Sequence, residues 1–176
     1  MKTIKNVEQF PFKIRQRRPD WCIPANIEAV TKYHEPTSQV NQQYLATQLH
    51  NSIGLEHVKR VLGDDSNFGW ANIEYCNNFQ RFDDLIHDIE KGVCDSVPRI
   101  ISIPARSFDG TWNGGWHMLT VIGYDECLFR VYDSNRGLVN DYYDIHKEGI
   151  RHDLLSSNRH EVTDCLILGP RILNLN

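Results

Sequence analysis

The chain has 176 residues, of which 40% are hydrophobic and 24% charged, and its net charge is −4. That length suits one domain, residues 1–176, with a real core, and the mild negative charge argues against a nucleic-acid or anionic-membrane surface. No apolar run approaches membrane-spanning length, and Met1–Glu8 carries basic residues without the apolar stretch of a signal peptide, so a cytoplasmic protein is expected, with export by a route that uses no such signal as the alternative.

The first half of the chain reads as helical. Pro24 suits the first turn of a helix, where its missing N–H costs nothing, and Ile27, Val30, Thr31 and Tyr33 follow at roughly helical spacing until Pro36. A second helix is expected from about Ser38 to His50, with Val40, Tyr44, Leu45 and Leu49 on one face. A third runs from Leu55 to Leu62 and ends at Gly63, and a loop follows over residues 64–69. Phe82, Leu85, Ile86 and Ile89 mark a further helix, closed by Lys91 and Gly92.

After Gly92 the periodicity changes. Val97–Pro104, His117–Tyr124 and Leu128–Tyr132 read as strands, and the short turn Asp125-Glu126-Cys127 makes the last two an antiparallel hairpin. Val162–Leu168 is a late strand, and the stretch after Asp141 offers no motif. Helices first and an antiparallel sheet second define an α+β fold, with a helical lobe and a sheet lobe facing each other across a cleft.

The chemistry centres on Cys22. It sits where a loop gives way to a helix, and the positive end of the backbone dipole stabilises a thiolate there. The five cysteines (Cys22, Cys76, Cys94, Cys127 and Cys165) are odd in number and include no Cys-x-x-Cys pair, so reduced thiols are expected. Cys127 and Cys165 read as small hydrophobes of strand-like runs.

His117 opens an apolar strand and is placed to act as a base. Asp133 ends the next strand, and in an antiparallel hairpin the start of one strand lies beside the end of the other. Gln16, six positions before Cys22, carries an amide donor suited to an oxyanion. Trp112-Asn113-Gly114-Gly115-Trp116 forms either a movable lip over the site or an ordinary anchored loop. Arg15, Arg17 and Arg18 form a small basic cluster that reads best as a solvated patch. The histidines lack compact metal-ligand spacing, so neither a metal nor another cofactor is expected.

Taken together, Gln16, the stretch Asp20-Trp21-Cys22-Ile23-Pro24-Ala25, Trp116-His117 followed by Gly123-Tyr124-Asp125, and Asp133 resemble the papain-like cysteine peptidases. The likeness is to the double-glycine (bacteriocin leader) peptidases and their stand-alone relatives, and it covers about Gln16 to Gly137. It implies a papain-like fold and hydrolysis of a peptide or protein amide through a Cys22 thioester, with Cys22, His117, Asp133 and Gln16 as the site. Ile23 stands where such relatives have Gly, Met118 where they have a small residue, and Ser134 where Pro is common. An acyltransferase, transglutaminase or deamidase would use the same groups, and a non-catalytic binding module would keep only the fold. The expected partner is a peptide or protein substrate.

Overall fold

The computed structural model describes residues 1–49, 55–64, 73–76, 82–104, 116–135, 142–156 and 165–168. Helix α1 spans Cys22–His34, and every residue from Ile23 to Thr31 is buried. A helix covered on so much of its circumference must pack against two partners. On one side Ile23, Ile27 and Val30 join Leu45 and Leu49 of α2 (Gln42–Leu49), Leu55, Val58 and Leu62 of α3 (Leu55–Asp64), and Ile100 and Met118 of the sheet. On the other, Ala29 meets the larger core, built from Leu85, Ile89 and Val93 of α4 (Phe82–Cys94) and the strand residues Ile101, Ile103, Leu119, Val121, Phe129 and Val131.

Among the described residues the sheet has seven strands: β1 (Lys2–Thr3), β2 (Ile73–Cys76), β3 (Arg99–Pro104), β4 (Trp116–Tyr124), β5 (Leu128–Tyr132), β6 (Tyr143–His146) and β7 (Cys165–Leu168). Their order is β2-β7-β3-β4-β5-β6, with β1 paired to β4, and all pairings are antiparallel. Strand β4 is central, and its seven interior residues are all buried because α1 covers one face and the α4 core the other. The helical-lobe-on-antiparallel-sheet fold expected from the sequence is the one observed.

Several boundaries differ from the sequence pattern. Helix α2 starts at Gln42 because Asn41 caps it, its Oδ1 accepting the Tyr44 N–H at 3.1 Å, whereas Ser38 only closes a turn onto the Val40 N–H. Helix α3 runs through Gly63 to Asp64. Helix α4 does not stop at Gly92 but ends in a Schellman turn. Ser96 is left-handed (φ 58°), with Ser96 N–H on Val93 O (3.1 Å) and Val97 N–H on Gly92 O (2.8 Å).

Strands β1, β2 and β6, a 3₁₀ turn at Val7–Gln9 and helix α5 (Lys147–Ser156) were not anticipated, since two- to four-residue strands and a polar helix carry little periodicity. Cys127 lies exposed in the hairpin turn rather than in a strand; with Cys22 and Cys94 it is a free thiol. The loop expected after residue 64, the segment Trp112–Gly115 and the first residues of the late strand lie outside the described residues.

The β4–β5 hairpin contains one irregularity that matters for the site. Tyr124 pairs with Phe129 and Gly123 with Arg130, but Val121 pairs with Val131 and Thr120 with Tyr132, so Ile122 is an extra residue. The Ile122 carbonyl accepts the N–H of Ile4, just beyond β1, at 2.9 Å.

Candidate active site

Cys22 is the first residue of α1 and is half-buried. Trp21 precedes it in the cap position, buried, with no side-chain hydrogen bond onto the helix and with the Arg18 guanidinium 5.1 Å from its ring centre. Pro24 has no N–H. The donors that open the helix are therefore the backbone N–H groups of Cys22 and Ile23, and first-turn N–H groups have no partner within their own helix.

His117 and Asp133 meet in the sheet. His117 Nε2 is 2.8 Å from Asp133 Oδ1, and both residues are buried, at 6% and 3% exposure. Asp133 Oδ1 also accepts the Asn135 N–H at 2.8 Å, and Oδ2 accepts the Tyr143 hydroxyl at 3.2 Å. Cys22 is within hydrogen-bonding reach of the same imidazole. Since Nε2 is taken by Asp133, Nδ1 is the ring nitrogen left for sulfur.

The electrostatics follow from these contacts. Burial alone would disfavour the charged imidazole, but hydrogen bonds to Asp133 and Cys22 and their negative charges outweigh it and push His117 up to about 9. Burial would likewise raise Asp133. The His117 hydrogen bond and charge, the Asn135 N–H and the Tyr143 hydroxyl overcome this and hold the carboxyl below its usual range.

Gln16 is held from several directions. Its Nε2 donates to Pro19 O at 2.9 Å, its Oε1 accepts the Ser134 hydroxyl at 3.2 Å, and its N–H donates to Ser134 O at 3.0 Å. Ser134, the departure noted in the sequence, thus ties Gln16 to the residue after Asp133. The Tyr132 hydroxyl donates to Ile14 O, two residues upstream of Gln16.

Buried Gln42 grips both neighbours of Gln16, donating from Nε2 to Arg15 O at 2.9 Å and accepting the Arg17 N–H on Oε1 at 3.0 Å. Gln42 also donates to Glu28 Oε2, from Nε2 at 3.1 Å and from its backbone N–H at 3.3 Å. Glu28 Oε1 pairs with Lys32 at 2.7 Å. A buried carboxylate with this many partners is stable where a bare one would not be.

Of the four residues read from the sequence, Cys22, His117 and Asp133 come into contact, and Gln16 is fixed to the segment that follows Asp133. Arg15 of the basic cluster is half-buried, with its guanidinium on the carbonyls of Phe12 and Ile14. Tyr143, Gln42 and Glu28 were missed. Glu28 alone left a trace, as the one charged residue between Ile23 and Thr31.

Among the described residues no group of three or more His, Cys, Asp or Glu side chains could hold a metal, and no helix is long and apolar enough to cross a membrane.

A helix-borne thiol against a strand-borne imidazole and carboxylate, on a helical lobe packed over an antiparallel sheet, is the architecture of papain-like cysteine peptidases. The Peptidase_C39 like family model matches residues 1–156. The chain belongs to that family. A crystal structure from Bacillus anthracis, designated a C39-like peptidase, superposes with a TM-score of 0.63 at 14% identity, covering 96% of this chain and 98% of that one, and has the same fold. No curated protein matches the chain.

Proposed function

We propose that the protein is a cysteine peptidase that cleaves a peptide or protein amide through a Cys22 acyl-enzyme. The observation that carries this reading is the double engagement of one buried imidazole. His117 is bonded to Asp133 at 2.8 Å on one side and lies in hydrogen-bonding contact with the Cys22 thiol on the other.

In this reading His117 takes the Cys22 proton, and the resulting imidazolium is held by Asp133. The thiolate adds to the substrate carbonyl carbon. The oxyanion that forms is met by the Cys22 N–H and the second Nε2 hydrogen of Gln16. When the C–N bond breaks, His117 gives its proton to the leaving amine and leaves a thioester on Cys22. Water, deprotonated by His117, then adds to the thioester. Collapse releases the carboxylic acid, and the thiolate is regenerated against the imidazolium.

The test is cleavage of a peptide library by the wild-type protein and by Cys22→Ala, with product masses read in the presence and absence of a primary amine. Hydrolytic fragments that vanish in Cys22→Ala support the peptidase. Amine adducts would reassign the same site to acyl transfer. No turnover, together with no Cys22-dependent labelling by iodoacetamide near pH 6, roughly 2.5 units below a free thiol, would leave only a binding module.

A further inference from the structure

Asn26 lies one turn along α1 from Cys22 and is fully buried, at 0% exposure. Its Nδ2 donates to the carbonyl of Cys22 itself at 2.8 Å and to the carbonyl of Met118, the residue after His117, at 3.1 Å. Its Oδ1 accepts the hydroxyl of Thr120, also at 0% exposure, at 2.7 Å. The amide thus spends both hydrogens and its oxygen on the two elements that carry the thiol and the imidazole. Ile23 and Ile27 of the same helix pack with Met118 of β4 in one apolar cluster. In such surroundings an apolar side chain would fill the space at no cost in polar burial, whereas an amide is tolerated only with every partner in place.

We propose that Asn26, held by Thr120, is a positioning residue that sets α1 against β4 so that Cys22 and His117 meet. Apolar packing between a helix and a sheet is non-directional and leaves the helix free to slide by fractions of an ångström. The two hydrogen bonds that join this α1 amide to β4, one donated to Met118 O and one accepted from the Thr120 hydroxyl, remove that freedom, and the bond to Cys22 O ties the same side chain to the reacting end of the helix. The inference rests on the Cys22–His117 reading above.

The experiment measures the rate of Cys22 alkylation by iodoacetamide as a function of pH, beside a thermal melt, in wild type, Asn26→Leu, Thr120→Val and Thr120→Ser. An intact thiolate–imidazolium pair reacts near pH 6, well below the value of about 8.5 for a free thiol. Asn26→Leu is expected to melt cooperatively yet lose roughly 10²-fold in the low-pH rate, the scale of a 1 Å misplacement, while keeping the rate at high pH, where the thiol ionises without help. Thr120→Val is expected to lose part of the low-pH rate and Thr120→Ser to retain it.

A wild-type low-pH rate in Asn26→Leu overturns the positioning role. Should Asn26→Leu fail to fold, equal low-pH rates in Thr120→Val and Thr120→Ser overturn it. Absence of low-pH alkylation in the wild-type protein removes the ion-pair reading itself, and this inference with it.

Discussion

The imidazole of His117, at the start of β4, and the carboxylate of Asp133, just past the end of β5, share one face of the sheet at 2.8 Å. This depends on the extra residue at Ile122. With Thr120 opposite Tyr132, the next step sets Asp133 opposite Leu119, whose side chain projects on the same face as that of His117. Had the register at Gly123 and Arg130 continued without the bulge, Asp133 would face Thr120, and its carboxylate would project from the other side of the sheet.

Because His117 is pushed up to about 9, the imidazolium persists through neutral pH, and activity is expected to fall as pH rises through about 9. The raised value also contributes to stability. The contribution is complete below the ordinary histidine value of about 6.5 and is lost as pH rises through about 9. Asp133, held low, acts in the opposite direction: its contribution is present above the ordinary aspartate value and is lost as pH falls through its lowered one. A pH–rate profile and melts across pH, each compared with His117→Ala, check both limbs.

Replacing Asp133 by Asn keeps an acceptor for His117 Nε2 but removes the charge that favours the imidazolium. The basic limb of the profile is expected to move down by about 1–3 pH units, the usual effect of an adjacent opposite charge. Asp133→Ala, which also removes the acceptor that Asp133 offers to the Tyr143 hydroxyl and the Asn135 N–H, is expected to lose more activity than Asp133→Asn.

Gln16→Ala is expected to lower kcat by about 10²–10³ while leaving the low-pH alkylation of Cys22 intact, since alkylation forms no oxyanion. Gln42→Ala is expected to act in the same direction with a smaller loss, because it releases Arg15 O and Arg17 N–H on either side of Gln16. Weaker binding of a peptide aldehyde, whose thiol adduct carries an oxyanion, would report the same defect in both variants.

Gly92 faces the return of the chain from α4 into β3. A Cβ there would lie 2.7 Å from Val97 O and 3.0 Å from the guanidinium carbon of Arg99, a buried side chain whose Nε is 3.0 Å from Asp88 Oδ2. Gly92→Ala is therefore expected to destabilise by about 1–3 kcal/mol, read from urea denaturation, with the shape of the pH–rate profile unchanged.

Lys147 anchors α5. Its buried ammonium donates to Glu90 Oε1 at 2.6 Å and to Asp125 O at 2.5 Å, above the rings of Phe129 and Tyr124. Lys147→Met leaves those acceptors without their donor and is expected to cost about 1–3 kcal/mol by the same measurement.

Local order along the chain was enough to find Cys22 at a helix start, His117 at the head of an apolar strand, Asp133 at the end of the next, and the α+β succession. Each of these depends on the residue and a few neighbours, and helix-start chemistry and strand periodicity are short-range. Asn26, Gln42 and Tyr143 left no comparable mark. Their importance comes from partners far along the chain: Met118 and Thr120 for Asn26, Arg15 and Arg17 for Gln42, and Asp133 for Tyr143.

By itself, then, the sequence determined which chemical groups are available and which kind of element carries each. The tertiary structure alone decided that Asp133 and His117 project from one side of the sheet and that α1 brings its first residue up to that imidazole. The physical reason is parity and register. Strand side chains alternate, so one inserted residue at Ile122 reverses the face. The offset between a helix and a sheet is set by contacts such as Asn26 to Met118, which no local pattern encodes.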